Sequence, residues 1–374
     1  MLVEVASAIV RSPRVMQIEG MFDLPAATES RLQWEATLPI EDRPWHIGLI
    51  VGPSGCGKST VTRALFGRQM DRQIRLPDWD RARAIVDAFP EGMSIKEIVS
   101  LLSSVGFSSP PAWRRPFQFL STGEQFRASL ARLMAYAEHS PNWDRFFVVD
   151  EFTSVVDRTV ARIASAALAK AVRRRQLRLV AVTCHEDVEE WLQPDWVYRP
   201  ASNVFDWRRL RRRPAIVLEV RRVHRSAWQL FRTHHYLSHD LARSAVCFVA
   251  FWGEQAVAFS AWLQALTPAR CKREHRTVTL PDFQGVGIGH RLADFCAALW
   301  KALGYRVRST TAHPGYIAAR QRSPNWQLVR SPSLVRFNPR DAHIRHAVTR
   351  LTSGFEYIGP PLDRGLAERL LAGA

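Results

Sequence analysis

Cysteine is scarce in this sequence. Its five residues are odd in number and scattered along the chain, at Cys56, Cys184, Cys247, Cys271 and Cys296. None of them forms a C-x-x-C pair, so the pattern argues against a disulfide framework and against a cysteine-based zinc site. A reducing compartment suits such a chain, and we expect a cytoplasmic protein.

Long hydrophobic runs are missing as well. No apolar run approaches the roughly 18 residues from which a membrane span is recognised. The first residues, Met1–Glu4, lack the basic-then-apolar pattern of a secretory signal peptide. We therefore expect a globular protein with no membrane partner.

Acidic residues are few in the second half of the chain, although the whole chain has 52 Lys+Arg against 35 Asp+Glu. Residues 1–200 hold 25 basic and 24 acidic residues, whereas residues 201–374 hold 27 and 11. A basic half of this kind is typical of proteins that bind a polyanion, most often a nucleic acid. The alternative is a genomic preference for arginine, which explains why only five lysines occur. That preference does not explain why the excess is confined to one half.

The length of 374 residues favours two domains. A basic run follows Trp207, and an apolar segment that reads as a strand begins at Ile216. We therefore place one domain at residues 1–206 and a second at residues 207–374. Near the N-terminus we expect a small antiparallel sheet that includes a strand over Val15–Ile18 and another over Arg31–Leu38.

A glycine-rich loop follows the apolar run Ile47–Val51, which reads as a buried strand. This first glycine loop consists of Gly52, Pro53, Ser54, Gly55, Cys56, Gly57, Lys58, Ser59 and Thr60. It matches G-x-x-x-x-G-K-[ST], in which backbone N–H groups surround the phosphates of a nucleoside triphosphate. Lys58 would reach the β- and γ-phosphates, and the Ser59 hydroxyl would bind Mg²⁺. The alternative, a structural turn, leaves the full match unexplained.

Four further motifs follow in order. A segment at Phe119–Arg127, here called the signature segment, places Ser121, Gly123 and Glu124 at the start of an expected helix. By itself this string is also an ordinary helix cap with a capping-box glutamate. The segment Arg145–Glu151 reads as an apolar strand that ends in two carboxylates, Asp150 and Glu151. The segment 154–157 follows it, and a later strand ends in His185.

Together with the first glycine loop, these motifs resemble those of the ABC ATPase family over roughly residues 1–200. The resemblance implies a parallel-sheet nucleotide domain that dimerises head-to-tail over two ATP molecules. It also implies ATP contacts from Ser121, Gly123 and Glu124, Mg²⁺ held by Asp150, a catalytic base at Glu151 and a γ-phosphate contact from His185.

The signature segment departs from the transporter pattern. Its Thr122 and Glu124 give L-S-x-G-E, which resembles the soluble, DNA-associated SMC-like branch of the family more closely. Only 63 positions separate Lys58 from Ser121, too few for the coiled-coil insertion of that branch. A transporter-type ATPase is the alternative, but it leaves the second half of the chain unexplained.

A second glycine loop, Gln284–Gly289, follows an alternating segment at Arg276–Leu280 and precedes an apolar helix. It resembles the acyl-coenzyme A loop of the GNAT acyltransferase superfamily, which binds a pyrophosphate through backbone N–H groups. The resemblance covers about residues 215–360 and implies an α+β domain with a mixed central sheet. It implies acyl-CoA contacts from Leu280, Gln284, Gly285, Val286, Gly287, Ile288, Gly289 and His290. A lone G-x-G-x-G also suggests a dinucleotide site, but the acidic residue expected about twenty positions later is missing.

Several segments of the second half look like a subfamily, seen in phages and mobile elements, that fuses an ABC ATPase to a predicted acetyltransferase similar to Mom-like DNA-modifying enzymes. These segments are His234–Leu237, His275–Arg276, Leu280–Gly285 and Phe355–Gly359. The chemistry needs an acid to protonate the leaving thiolate, for which Tyr316, Tyr357 and Tyr236 are candidates. His235 and His313 are candidate bases.

The sequence therefore predicts an ABC-type ATPase joined to an acyl-CoA-dependent N-acyltransferase. We expect ATP, Mg²⁺ and acetyl-CoA or another acyl-CoA as ligands. The expected substrate is a nucleic acid, DNA rather than RNA. Three alternatives stay open at this point: an ATP-dependent RNA acetyltransferase, a non-enzymatic ATP-gated DNA-binding protein, and a transporter-type ATPase.

Overall fold

The computed structural model describes residues 2–207, 215–235, 239–265, 270–334 and 351–372. Its helices are α1 (Pro13–Met21), α2 (Lys58–Ile74), α3 (Ile95–Ser104), α4 (Pro110–Trp113), α5 (Thr122–His139), α6 (Arg158–Arg174), α7 (Val188–Leu192), α8 (Trp228–Phe231), α9 (Ile288–Ala302), α10 (Pro314–Gln321) and α11 (Arg364–Ala372).

The strands are β1 (Leu2–Ala8), β2 (Glu29–Glu35), β3 (Ile47–Val51), β4 (Phe146–Val149), β5 (Arg178–Thr183), β6 (Trp196–Arg199), β7 (Val204–Trp207), β8 (Glu219–Val223), β9 (Val246–Trp252), β10 (Gln255–Gln264), β11 (Cys271–Thr279), β12 (Arg306–Thr311), β13 (Trp326–Leu334) and β14 (Leu351–Tyr357).

The chain divides into two units. The first is formed by the described residues of Met1–Pro77, Pro141–Ser154 and Val172–Arg213. The second is formed by those of Asp78–Ser140, Val155–Ala171 and Pro214–Ala374. The signature segment therefore belongs to the same unit as the second half of the chain. The domain boundary at residues 206 and 207 stays a prediction.

The main sheet of the first unit has the order β4-β5-β3-β6-β7. Strands β4, β5, β3 and β6 are parallel, and β7 pairs antiparallel with β6 at the edge. Strands β3 and β5 are buried along nearly their whole length, as expected for parallel strands that are covered on both faces. Because the parallel strands share one direction, the segments that follow β3, β4 and β5 leave the sheet at the same edge.

Aromatic side chains fill the core of this sheet. The ring centroid of Trp45 lies 5.7 Å from that of Phe146 and 5.4 Å from that of Trp196, both in edge-to-face contacts. The Trp196 ring packs directly against the backbone of Gly48 in the neighbouring strand, where a Cβ would lie 2.0 Å from the ring. Only glycine leaves room for the ring at this position.

We expect Gly48→Ala to lower the free energy of unfolding of this unit by about 3 kcal/mol, because the added methyl group overlaps the Trp196 ring. Gly67→Ala is the matched control in α2, where the Cβ meets only the Arg63 Cγ at 3.9 Å. We expect the control to stabilise the helix by roughly 0.5–1 kcal/mol. Urea denaturation measures both changes; equal effects would contradict this packing.

The N-terminal region confirms one expected strand and corrects another. Strands β1 and β2 form the small antiparallel sheet, and β2 covers most of the segment predicted from Arg31. The strand predicted over Val15–Ile18 is wrong, because these residues lie in α1. The Ser12 side chain accepts a hydrogen bond from Val15 N, and Pro13 occupies the first turn, where its fixed φ angle favours a helix.

The second unit contains helices α3 to α5, most of α6, and a mixed sheet of order β13-β14-β12-β11-β10-β9-β8. Strands β11 and β12 are parallel and are connected through α9, whereas the other neighbours pair antiparallel. Helix α9 contributes Ile288, Leu292, Cys296 and Leu299 to the core beneath this sheet. Helix α8 is short and ends at Phe231.

The predicted fold class is confirmed: a P-loop-type α/β sheet precedes a mixed sheet with its own helices. The first sheet departs from a purely parallel one only at β7. Within the part of the chain that the structure describes, no helix has the length and apolar character needed to cross a membrane.

Candidate functional site

The first glycine loop connects β3 to α2 as predicted. Gly55 has a φ angle of 80°, with open space at its Cβ position. Gly57, the N-cap of α2, has a φ angle of 86°. Both angles favour glycine. The Lys58 side chain is 8% exposed, and its ammonium donates a hydrogen bond to the Pro53 carbonyl at 2.8 Å. The ammonium therefore bridges the loop, next to the start of the helix.

The acidic pair and the histidine lie at the same edge of the sheet as the first glycine loop. Val51 pairs with Thr183, and Val149 pairs with Ala181, so β3, β4 and β5 end side by side. The backbone N–H of Gly52 donates to the Thr183 carbonyl at 3.4 Å. The structure thus brings Ser59, Asp150, Glu151 and His185 to one edge of this unit.

Glu151 lies in a turn after β4, and its carboxylate is exposed to solvent. Its φ angle is 51°, and the residue is exposed. The Ser154 hydroxyl donates to Glu151 Oε2 at 2.7 Å, while the backbone N–H of Glu151 donates to Asp150 Oδ1 at 2.9 Å. These contacts orient both carboxylates at the end of β4.

The signature segment forms the N-terminus of α5 in the second unit. Ser121 is the N-cap, and its hydroxyl accepts from Glu124 N at 3.3 Å. Glu124 Oε2 in turn accepts from Ser121 N at 3.0 Å. This reciprocal capping box is the ordinary role that the sequence allows for these residues. Capping leaves Ser121 exposed, and the remaining N–H groups of the first turn concentrate positive potential there.

The second glycine loop connects β11 to α9. Gly285 and Gly287 have φ angles of 92° and 94°, and Gly287 is the N-cap of α9. A Cβ at Gly287 would meet nothing within 4 Å, so this side of the loop is open to a ligand. Gly289 approaches β11 so closely that a Cβ would lie 2.6 Å from Thr279 Oγ1.

The other side of the second glycine loop packs against the connection that follows α3. A Cβ at Gly285 would lie 2.6 Å from the Gly106 Cα and 2.9 Å from the Ala167 Cβ. The Gln284 side chain accepts from Ser108 N at 2.7 Å and donates to the Thr279 carbonyl at 2.9 Å. Gln284 and Gly285 are therefore held in place by the connection after α3, by α6 and by β11.

We expect Gly106→Ala to destabilise the second unit by about 2–4 kcal/mol. Gly106 has a φ angle of 86°, and its Cβ would lie 2.6 Å from the Gln284 carbonyl oxygen, so backbone strain adds to a steric overlap. Gly92→Ala is the control, because Gly92 has a φ angle of 87° but nothing within 4 Å. The control therefore measures only the cost of placing alanine at a positive φ angle, which should lower the free energy of unfolding by about 1–2 kcal/mol. Equal losses in denaturant titrations would show that the loop contact adds nothing.

A buried polar cluster lies where β11 and β12 part. The two strands pair from Cys271 to Arg273 and then separate. The next residue, Glu274, connects the separated strands, because its carboxylate accepts a hydrogen bond from Ser309 of β12. We call this set the Glu274 cluster. The Arg320 guanidinium donates to Glu274 Oε2 at 2.7 Å, and the hydroxyls of Thr277 and Ser309 donate to the same carboxylate. The Tyr316 hydroxyl donates to Glu274 Oε1 at 3.4 Å.

The environment sets the protonation states of this cluster. Burial alone would raise the pKa of Glu274, but Arg320 and the two hydroxyl donors lower it overall. Burial, together with the neighbouring Glu274 carboxylate, raises the pKa of Tyr316. The cluster therefore holds an ionised carboxylate beside a phenol that keeps its proton at neutral pH.

His290, in the first turn of α9, stacks on the Tyr316 ring. The two ring centroids lie 4.3 Å apart with an interplanar angle of 27°. Burial and the nearby Arg320 lower the pKa of His290 to about 4, so the imidazole is neutral at pH 7. This contact connects the start of α9 to the Glu274 cluster.

The other candidate acids and bases have structural contacts. The Tyr357 hydroxyl donates to the Pro360 carbonyl at 3.1 Å, and its ring packs edge-on against Trp326. His313 is the N-cap of α10, and burial lowers its pKa to about 4. His235 is buried with its ring edge-on to Trp228. Tyr236 lies outside the described residues.

Sequence reasoning missed Glu274, Arg320, Arg127 and Asp282. The first two are 46 positions apart and meet only through the fold. Arg127, 1% exposed, donates from Nη2 to Asp282 Oδ1 at 3.3 Å. A signal existed for Asp282, which lies two residues before the second glycine loop, but nothing in the sequence pointed to α5 as its partner.

Comparison with known proteins gives similarities to each half. No protein-family model matches the chain. The chain is 31% identical over 141 residues to the hemin import ATP-binding protein HmuV of Idiomarina loihiensis, covering 29% of this chain and 54% of that protein. It thus spans about half the length of this curated relative.

Two kinds of solved structure are similar. A dimeric ATP-binding cassette bound to ADP and Pi shares 16% identity with a TM-score of 0.32, covering 42% of this chain and 82% of that chain. An IAA acetyltransferase from Bacillus cereus shares 15% identity with a TM-score of 0.30, covering 38% and 99%. A Bacillus subtilis acetyltransferase in complex with CoA shares 13% sequence identity with a TM-score of 0.30, covering 37% of this chain and 96% of that chain. The fold assignment rests on the strand order and connections described above.

Proposed function

We propose that this chain is an ABC-type ATPase joined to an acyl-CoA-dependent N-acyltransferase that modifies a nucleic acid, most specifically a DNA base. The observation that carries the proposal is the pair of glycine loops. Each connects a strand to a helix whose N-cap is a glycine with positive φ, Gly57 at 86° and Gly287 at 94°. Such loops direct backbone N–H groups toward the phosphates of a ligand.

The first glycine loop would bind the triphosphate of ATP, with Lys58 moving from the Pro53 carbonyl to the phosphates. Glu151 would orient or deprotonate the attacking water, and His185 would contact the γ-phosphate. The hydroxyl of Ser59 and the carboxylate of Asp150 are oxygen ligands that suit Mg²⁺. When bound there, Mg²⁺ would neutralise charge on the phosphates.

We propose that the ATP site is completed by a second copy of the chain. In the head-to-tail dimer that the resemblance to ABC ATPases implies, the partner's α5 N-terminus would face the γ-phosphate. The exposed Ser121 and the Gly123 backbone support this role, because a helix N-terminus is a ready anion site. ATP binding would then close the dimer, and hydrolysis would open it.

The second glycine loop would bind the pyrophosphate of acyl-CoA through the backbone of Gly285 to His290. In the transfer, an amine attacks the carbonyl carbon of the thioester, the C–N bond forms, and the C–S bond breaks. The amine loses a proton to solvent, and the leaving thiolate takes one. Tyr316 is the proposed acid because of its position: its hydroxyl lies 3.4 Å from the Gly289 carbonyl oxygen, in the first turn of α9.

The charge of the second half supports a polyanionic acceptor. Residues 201–374 carry an excess of 16 basic residues over acidic ones, since 27 minus 11 is 16. Exposed arginines of the second unit include Arg225, Arg243, Arg273 and Arg291. Glu356 offsets part of this charge by pairing with Arg306 and Arg308.

Purified protein supplied with isotope-labelled acetyl-CoA, Mg²⁺-ATP and duplex DNA tests the proposal. We expect label in the DNA, and we expect less in a matched RNA duplex. Label in RNA alone would move the substrate to RNA. Label confined to protein or small amines would overturn the nucleic-acid substrate.

A transporter-type ATPase is the second candidate, and the similarity to a hemin import ATP-binding protein favours it. Under that proposal the chain hydrolyses ATP but does not bind coenzyme A. A thermal-shift titration with CoA distinguishes the two. A ligand present at a free concentration of 100 times its Kd raises the free energy of unfolding by about 2.7 kcal/mol. No shift would favour the transporter-type ATPase or the non-enzymatic ATP-gated DNA-binding protein over the acyltransferase.

A further inference from the structure

Asp282 places a carboxylate between the signature helix and the second glycine loop. Its Oδ1 lies 3.5 Å from the Cβ position of Gly123, at the N-terminus of α5. The same oxygen accepts from Arg127 Nη2 at 3.3 Å. Two residues later, Gln284 begins the loop. One side chain therefore contacts the region proposed for the γ-phosphate and adjoins the region proposed for acyl-CoA.

Arg127 has spare capacity to bind an anion at this point. Its side chain is 1% exposed, and its Nε and Nη1 atoms have no hydrogen-bond partner among the described residues. Its Nη2 lies 3.5 Å from the Cβ position of Gly123. A buried guanidinium with unused donors beside a helix N-terminus is an environment that favours a second negative charge.

The loop cannot shift independently of this region. Gly285 contacts the Gly106 backbone, and the Gln284 side chain accepts from Ser108 N at 2.7 Å. Gly106 and Ser108 follow α3, which packs beside α5 in the same unit. A displacement of Asp282 or of α5 is therefore transmitted to Gln284 and Gly285 through direct contacts.

We propose that Asp282 and Arg127 are positioning residues that make ATP and acyl-CoA antagonistic ligands of this protein. This inference rests on the proposed function. A γ-phosphate arriving at Ser121 and Gly123 competes with the Asp282 carboxylate for the same positive potential. When the Asp282 carboxylate is displaced from Arg127, the second glycine loop moves with it. The backbone N–H groups of the loop then no longer converge on a pyrophosphate.

Calorimetric titration of coenzyme A into the full-length protein tests the inference, without nucleotide and with a saturating non-hydrolysable ATP analogue and Mg²⁺. We expect the analogue to raise the Kd for CoA about tenfold, within the usual range of coupling between sites. Because binding linkage is reciprocal, saturating CoA must raise the Kd for the analogue by the same factor. A Kd that the analogue leaves unchanged or lowers would overturn the inference.

Two charge-matched variants localise the coupling. Asp282→Asn removes the competing charge and should reduce the tenfold change in Kd to a factor near one. The control is Glu254→Gln, which neutralises an exposed glutamate in the turn between β9 and β10 and should leave the tenfold change intact. Coupling that survives Asp282→Asn in a folded variant would overturn the role of this pair. If CoA fails to bind even without nucleotide, the proposed acyltransferase function fails instead, which separates the two results.

Discussion

Glu151→Gln should lower ATP turnover by a factor of about 10²–10⁴ while ATP still binds. This is the contribution typical of a general base. Glu151 is positioned for this role, because it follows β4 at the sheet edge that also carries the first glycine loop. The Ser154 hydroxyl donates a hydrogen bond to Glu151 Oε2 at 2.7 Å, which orients the carboxylate. Glutamine keeps the shape and removes the basic oxygen. Steady-state phosphate release at saturating ATP measures the change.

The control for this variant is Glu186→Gln, which removes an exposed carboxylate just after His185. We expect its turnover to match that of the wild type. Nucleotide binding to Glu151→Gln, followed by fluorescence of a labelled ATP, should be unimpaired, because the first glycine loop and Lys58 are unchanged. Full turnover in Glu151→Gln would assign the base to another residue.

Gly287→Glu should weaken coenzyme A binding by at least about 100-fold. Gly287 caps α9, with open space at its Cβ position, so a glutamate there places its charge where the pyrophosphate is expected. Two like charges 4 Å apart near a protein surface repel by about 4 kcal/mol, and about 1.4 kcal/mol corresponds to tenfold in Kd. Isothermal titration with CoA measures the loss.

Gly287→Ala is the matched control, since it shares the backbone strain of the φ angle near 94° without adding charge. Its effect on CoA affinity should not exceed about 30-fold, the equivalent of the 1–2 kcal/mol of strain. Equal losses in the alanine and glutamate variants would mean that strain, rather than a phosphate, explains the result. Unchanged affinity in the glutamate variant would place the CoA site elsewhere.

Local motifs made the elements around both glycine loops predictable. The fixed positions of the first loop, the apolar run before it and the helix after it are all local features, and the structure reproduces them as β3 and α2. The strand that precedes Asp150 and the helix that starts after Ser121 are equally local features. Such patterns specify the backbone conformation directly, through glycine torsions, caps and strand burial.

The failed and missed elements depend on context. Val15–Ile18 has β-prone residues, but the Ser12 cap and Pro13 outweigh that propensity and start a helix. The Glu274 cluster needs β11, β12 and α10 to assemble before its ion pair exists. The contact between Gly106 and Gly285 joins residues 179 positions apart. No periodicity within either segment encodes such a contact.

The same distant contacts change how the two halves of the sequence relate. A boundary at residue 206 suggests separate modules, whereas the second unit combines α3, α4 and α5 with the mixed sheet. Asp282 and Arg127 lie within this combined unit. If the proposed functions hold, the helices that would sense ATP and the loop that would hold acyl-CoA belong to one packed body.

Mass spectrometry of nucleosides from cells that express the wild-type chain, the Gly287→Glu variant or the Gly287→Ala control shows whether this protein acylates DNA through the second glycine loop. We expect an acylated nucleoside in DNA from wild-type cells, its loss in the glutamate variant, and its retention in the Gly287→Ala control. A DNA nucleoside profile identical in all three strains, with the protein present and folded, would contradict it.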